Sequence, residues 1–215
     1  MRWEIGSLIV LAVVLVAGIS WYERSRPSAK VLAMVATLAA LAVLGRIAFA
    51  PLPNIKPMTT DIILLSGYVL GGAPAFAIGS TTALASNVIF GQGPWTPWQM
   101  VAWGLVGVFG AVLRRLFGRD LGRWSLAFAC LLAGFMFGLI MDFHQWALYS
   151  GQHTFGQLLA TFVTSLPFNV AHAAGNFVFC LAFGPAFVRA LTRFRTRLDV
   201  RWNPKPVNLT EAEFM

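Results

Sequence analysis

The chain alternates long apolar runs with short polar gaps. Apolar segments cover residues 5–21, 29–50, 59–72, 73–90, 98–117 and 124–149, and a longer stretch runs from about 156 to 195. The first two are each near the roughly 20 residues that an α-helix needs to cross the hydrocarbon core. The 59–72 and 73–90 pair is short and divided by Gly71, Gly72 and Pro74. It forms either two spans or one re-entrant pair. The parity of every later segment is the same in both cases. Pro167 predicts a break in the last stretch, with a short outer helix or loop before it and a span from about 167. One crossing per segment places the N-terminus outside and the C-terminus inside. The first segment is expected to be a retained helix and not a signal peptide. Glu4 offsets Arg2, and no small-residue cleavage site follows the apolar run.

The polar gaps are not equivalent. Thirteen of the sixteen Lys and Arg residues fall in three places. Arg24, Arg26 and Lys30 fill the first gap, and Arg114, Arg115, Arg119 and Arg123 fill a later one. Arg189, Arg193, Arg195, Arg197, Arg201 and Lys205 fill the C-terminal end. Short basic loops of a membrane protein stay in the cytoplasm. The polar and aromatic loops PNIKPMTTD (53–61), GQGPWTPWQ (91–99), DFHQW (142–146) and the stretch 150–176 then face outside. Such a collection suits a protein that receives something from outside.

Composition adds a bilayer and removes nucleic acid. The chain is 58% hydrophobic and 11% charged, with a mean hydropathy of +0.71. A soluble domain carries about twice that charged fraction. The net charge of +8 is explained by basic residues beside apolar spans. Cys130 and Cys180 lie inside apolar helices with no polar neighbours, and read as small core or lipid-facing residues. There is no GxxxxGK[ST] motif, so this chain does not bind ATP by a P-loop.

Ionisable groups at membrane depth are costly and usually face a cavity or one another. Arg46, Asp61, Asp142 and His172 all belong to the outer halves of their segments, and Arg46 is expected to pair with Asp61 or Asp142. Asn169, His172 and Asn176 are spaced i, i+3, i+7 and share one helix face. Asp142, Gln145, Trp146 and Tyr149 form a similar stripe. Either stripe serves a ligand or hydrogen bonds between helices, and Trp146 and Tyr149 equally suit an interface belt. In the loop 91–99, Gly91, Gly93, Pro94 and Pro97 hold Trp95 and Trp98 in a tight turn structure, and rigid aromatic surface there suits a flat organic ligand. The spacing of His144, His153 and His172 matches no metal-ligand pattern. Ala29, Ala33, Ala36 and Ala40 recur at helical steps, as do the small residues of 73–77 and 107–111. Such faces let helices approach closely, within the chain or against a second membrane protein.

These residues together resemble the membrane-embedded S component of an energy-coupling factor (ECF) vitamin transporter. The resemblance rests on Ala36-xxx-Ala40 followed by Gly45-Arg46, then PNIKPMTTDIILLSGYVLG (53–71), SNVIFGQGPWTPWQM (86–100), AWGLVGVFGA (102–111) and SLPFNVAHAAGN (165–176). It implies an all-α membrane protein: a six-helix bundle over 29–195, plus one extra N-terminal transmembrane helix in 1–28 and a flexible cytoplasmic tail in 196–215. It implies capture of a vitamin-like molecule at the outer face of a bacterial cell membrane. Uptake would require a T subunit and two ATPase subunits. Ala36 and Ala40 would lie on the docking face. The substrate would be held among Asn54, Lys56, Asp61, Trp95, Trp98, Gln99, Asp142, Trp146, Asn169, His172 and Asn176, with no catalytic residue, cofactor or metal. The chain starts MRWEIG, without the Met-His start of nickel and cobalt members, so an organic ligand is expected, a corrinoid (cobalamin type) first. Two alternatives stand beside it. One is an ion-coupled carrier or channel using Arg46, Asp61, Asp142 and His172. The other is a membrane enzyme using Asp142, His144 and His172, for which no nucleophile elbow or HExxH motif speaks.

Overall fold

Large apolar side chains point outward along most of the chain. Leu8, Val88, Leu116, Phe155 and Val178 are between 62% and 78% exposed. A helix as apolar outside as inside is solvated by lipid, not water. The computed structural model describes residues 3–52 and 55–197. They form seven helices and no strand: α1 (Trp3–Ser25), α2 (Ala29–Ala48), α3 (Pro57–Leu70), α4 (Gly72–Phe90), α5 (Trp95–Phe117), α6 (Arg123–Tyr149) and α7 (Phe155–Arg197). Five of them, α2 and α4 to α7, are long and apolar enough to cross a membrane. This is an all-α, multi-pass membrane protein. The expected flexible tail lies, from residue 198 on, outside the described residues.

The shortest helix is the most enclosed. In α3, Pro57 and every residue from Thr59 to Leu70 are buried, because α2, α4, α5, α6 and α7 all pack around it. Glycines permit the closest approaches. A Cβ at Gly67 would collide with the Gly107 carbonyl, and one at Gly110 with the Leu64 carbonyl. A Cβ at Gly107 would lie 2.7 Å from Ala75 Cβ. The small residues of 73–77 and 107–111 therefore pack within the chain. Pro57 starts α3 at the position that tolerates a missing N–H. Gly71, at φ 101°, turns the chain into α4.

The α3 C-terminus marks one end of the bundle. Arg114 Nη1 donates to the Val69 carbonyl at 2.5 Å, and Arg195 Nη1 donates to it at 2.9 Å. Cations complement the partial negative charge at a helix C-terminus. Tyr68 Oη donates to the Gly118 carbonyl at 3.0 Å. We call this the basic end. The α3–α4 turn thus meets the arginines of α5 and α7.

Two elements differ from expectation or extend it. The stretch after 155 does not break at Pro167. It is one helix of 43 residues with Pro167 and Pro185 inside it, about 64 Å long at 1.5 Å per residue. Each proline removes one helical donor, but lipid offers no alternative partner to an unravelled backbone, so the rest of the ladder persists. Packing on α6 supports it. Gly134 and Gly138 leave room on α6 for Asn176 and Asn169 of α7. At the other terminus, α1 packs on α5, and Ser7 Oγ donates to the Pro94 carbonyl at 3.2 Å.

Candidate functional site

The loop between α4 and α5 organises the end opposite the arginines. Gly91, at φ 95°, leaves α4. Gly93 has no Cβ because the Trp95 ring fills that space. Thr96 N–H closes onto the Gly93 carbonyl at 2.9 Å, and Thr96 Oγ1 donates to Gln92 Oε1 at 2.9 Å. Asn87 Nδ2 ties α4 to the start of α5, donating to Thr96 Oγ1 and Gln99 Oε1, both at 2.9 Å.

Arg46 enters this network from α2. Its Nη1 donates to Ser86 Oγ at 2.5 Å and to Asn87 Oδ1 at 2.7 Å. Its guanidinium carbon lies 4.7 Å from the Phe90 ring centroid and 5.1 Å from that of Trp103, within cation–π range. The expected pairing of Arg46 with Asp61 or Asp142 is therefore not made. Arg46 faces the Ser86–Asn87 end of α4, whereas Asp142 on α6 faces α7. Asp142 Oδ2 accepts from Ser165 Oγ at 2.6 Å and from Asn169 Nδ2 at 2.7 Å.

Between these networks lies a cavity of about 560 Å³, lined by Trp95, Gln99, Met141, Asp142, His144, Gln145 and Tyr149. Beside it, Trp98 rests against His144 and Phe143, with ring centroids 5.7 and 6.0 Å away. His144 Nε2 and Trp98 Nε1 are buried without a hydrogen-bond partner. Unpartnered buried polar groups are uncommon, and each asks for a ligand or water to complete it.

The structure brings together some of the residues chosen from sequence and separates others. Trp95, Gln99 and Asp142 line the cavity, with Trp98 and Asn169 behind them. Trp146 lines an adjoining cleft of about 350 Å³ between α6 and α7, and its Nε1 donates to the Thr154 carbonyl at 3.2 Å. His172 and Asn176 do not line the cavity, because their face of α7 turns to α3 and α6. His172 Nε2 meets Thr60 Oγ1 at 3.0 Å and its ring stacks on Phe137. Asn176 Nδ2 donates to the Cys130 carbonyl at 3.4 Å. Lys56 is half-buried at the α3 N-cap, where burial, and secondarily the charge of Arg46, lowers its pKa below the ordinary lysine value. Asn54 lies outside the described residues.

Asp61 stands in the half of α3 away from the basic end but does not line the cavity. It lies with Cys130 and Cys180, its carboxylate and their sulfurs all within 4.8 Å of one another, and Cys130 is only seven residues into α6 from Arg123. The cysteines do have a polar neighbour. It comes from α3, and sequence distance hid it. Ser86, Asn87, Thr60 and Ser165 were not singled out from sequence. Each is a hydroxyl or amide within an apolar helix, and that is the signal they offered.

At the basic end a second cavity, of about 660 Å³, is lined by Arg114, Arg119, Arg189, Arg193 and Arg195 with Asp120 and Tyr68 among others. The two ends thus differ in kind: one guanidinium-rich, the other aromatic and hydrogen-bonding. The fold and this cavity define a polytopic helical membrane protein with a small-molecule-sized recess at its non-basic end. The chain belongs to the DUF6580 family, a family of unknown function, whose model matches residues 23–197. No curated protein and no solved structure matches it. The matched stretch holds α2 to α7 and leaves nearly all of α1 outside.

Proposed function

We propose that this protein is the substrate-binding membrane subunit of an ECF-type importer, capturing a vitamin-like organic molecule for uptake driven by partner ATPases. The observation that carries the reading is the cavity at the end opposite the arginines. Basic loops stay in the cytoplasm, so the recess faces outside. Its volume of about 560 Å³ is that of a small-molecule pocket. Trp95 and Tyr149 offer stacking surface; Gln99, Asp142 and His144 offer directional hydrogen bonds. Flat stacking surface beside directional polar groups suits a flat heteroaromatic compound. Ala29, Ala33, Ala36 and Ala40 are exposed on α2 and leave a small-residue face for a T subunit.

The ion-coupled carrier has one observation in its favour. Below the cavity, polar side chains continue through Asn169, His172 and Asn176 to Asp61. Arg46, tied to α4, is not on that line. One experiment separates the readings. Purified protein in liposomes is offered the compound that mass spectrometry finds co-purifying with it. The importer reading expects binding without accumulation, and accumulation only when the T subunit and ATPases are added. Concentrative uptake by this chain alone would reject it in favour of the carrier.

A further inference from the structure

The buried cluster at Asp61 has a donor set of its own. Asp61 stands on α3, Cys130 on α6 and Cys180 on α7, and each is 0% exposed. One atom from each, a carboxylate oxygen and two sulfurs, lies within 4.8 Å of the other two. Both cysteines are free thiols. Apart from the Cys130 thiol beside it, neither oxygen of Asp61 has a hydrogen-bond partner, and Asn176 Oδ1 has none. Asn176 stands one turn before Cys180 on the same face of α7, and its amide nitrogen reaches the Cys130 carbonyl. A bare carboxylate in so apolar a place is too costly to persist. It must hold a proton or a cation.

We infer that Asp61, Cys130 and Cys180 form a binding site for a thiophilic divalent cation of the zinc class, with the Asn176 Oδ1 or a water in the fourth position. Two sulfurs and an oxygen suit zinc; magnesium and calcium require more oxygens. Charge is nearly balanced. Carboxylic acid and two thiols make a neutral group. Binding a divalent ion to both thiolates and the carboxylate releases three protons and leaves a single net negative charge, far less than three bare anions would bring into the low-dielectric core. The movement required is small. Zinc–donor bonds of about 2.0–2.3 Å in tetrahedral geometry place donors roughly 3.5–3.8 Å apart, against at most 4.8 Å here. The bound ion would fasten the enclosed helix α3 to α6 and α7, whatever the outer cavity holds.

The test uses the full chain without a histidine tag, reduced, stripped with chelator and held in detergent. Cadmium, a spectroscopic stand-in for zinc, is titrated in. The site predicts one cadmium per chain, thiolate-to-metal charge-transfer absorption, a cadmium NMR shift indicating two sulfur ligands, and displacement by zinc. Zinc should raise the melting temperature of the wild type. Cys130→Ser, Cys180→Ser and the nearly isosteric Asp61→Asn should each weaken cadmium binding by roughly 100-fold, the upper end of what losing even an outer-shell partner costs. Equal affinity in the wild type and in Cys180→Ser would overturn the site. So would a wild type that takes up no stoichiometric cadmium or zinc, or one that binds copper(I) alone. Where a variant does not fold, the wild-type shift decides: a signal for one sulfur or none overturns the inference.

Discussion

Arg46 and Asp142 are both held by neutral partners rather than by each other, and this leaves the cavity between them polar without a closed ion pair. Asn169 supplies one of the two donors to Asp142 Oδ2. Asn169→Ala should therefore weaken ligand binding through Asp142, and Trp95→Ala should weaken it through lost stacking. Removing one buried hydrogen-bond partner costs roughly 1–3 kcal/mol, or about 5- to 150-fold in affinity. Calorimetric titration of the co-purifying compound measures both. Trp124→Ala, 67% exposed at the start of α6, is the control and should bind normally. Lys56 gives a pH prediction. Burial lowers its pKa in the folded state, so the unfolded chain binds more protons as pH approaches the ordinary lysine value. Stability should rise with pH through that window and level off above it, and Lys56→Met should flatten the profile of melting temperature against pH. Trp95, Gln99 and Asp142 were legible in the sequence because loop stiffness and position at the end without the basic loops need no knowledge of neighbours. His172 and Asn176 were legible as sharing a face, but spacing alone does not tell which helix that face meets. The Asp61–cysteine cluster joins residues 69 and 119 positions apart, and no local pattern announces it.

Among the elements, the turn between α3 and α4 was readable because Gly71 and Gly72 punctuate an apolar run. The continuity of α7 was not readable, because proline is a breaker in water and a tolerated passenger where backbone has no other partner. The contact between α3 and α5 depends on glycines that leave no space for a side chain. Gly67→Ala would push a methyl group into the Gly107 carbonyl and should cost on the order of 1–3 kcal/mol, read as a lower melting temperature in detergent. Gly18→Ala on α1 meets no atom within 4 Å and should leave the melting temperature unchanged or slightly raised, since alanine is the better helix former.

For the whole molecule, the arginine distribution sets the predicted orientation. A label at Arg119 should be reactive only from the cytoplasm and one at Trp95 only from outside; the reverse pattern would place the cavity on the wrong side for capture. Ala36→Trp or Ala40→Trp should leave ligand affinity intact while reducing co-purification with a T subunit, since a bulky ring prevents close helix approach. The separation into a basic and an aromatic end was legible from the chain, because alternate gaps between apolar segments carry the basic residues and helices that alternate in direction bring those gaps to one end. The position of α3 was not, since its apolar sequence resembles that of its lipid-facing neighbours. That position also constrains how the protein is made. At 14 residues, α3 measures about 21 Å, short of the roughly 30 Å hydrocarbon core, and it carries Asp61. When it leaves the ribosome, most of the wall that will enclose it has not been synthesised. Helices α5, α6 and α7 follow it in the chain. A nascent chain stopped after α4 should therefore hold α3 loosely, with a tag at residue 55 accessible to modifying enzymes, and extension through α7 should remove that access.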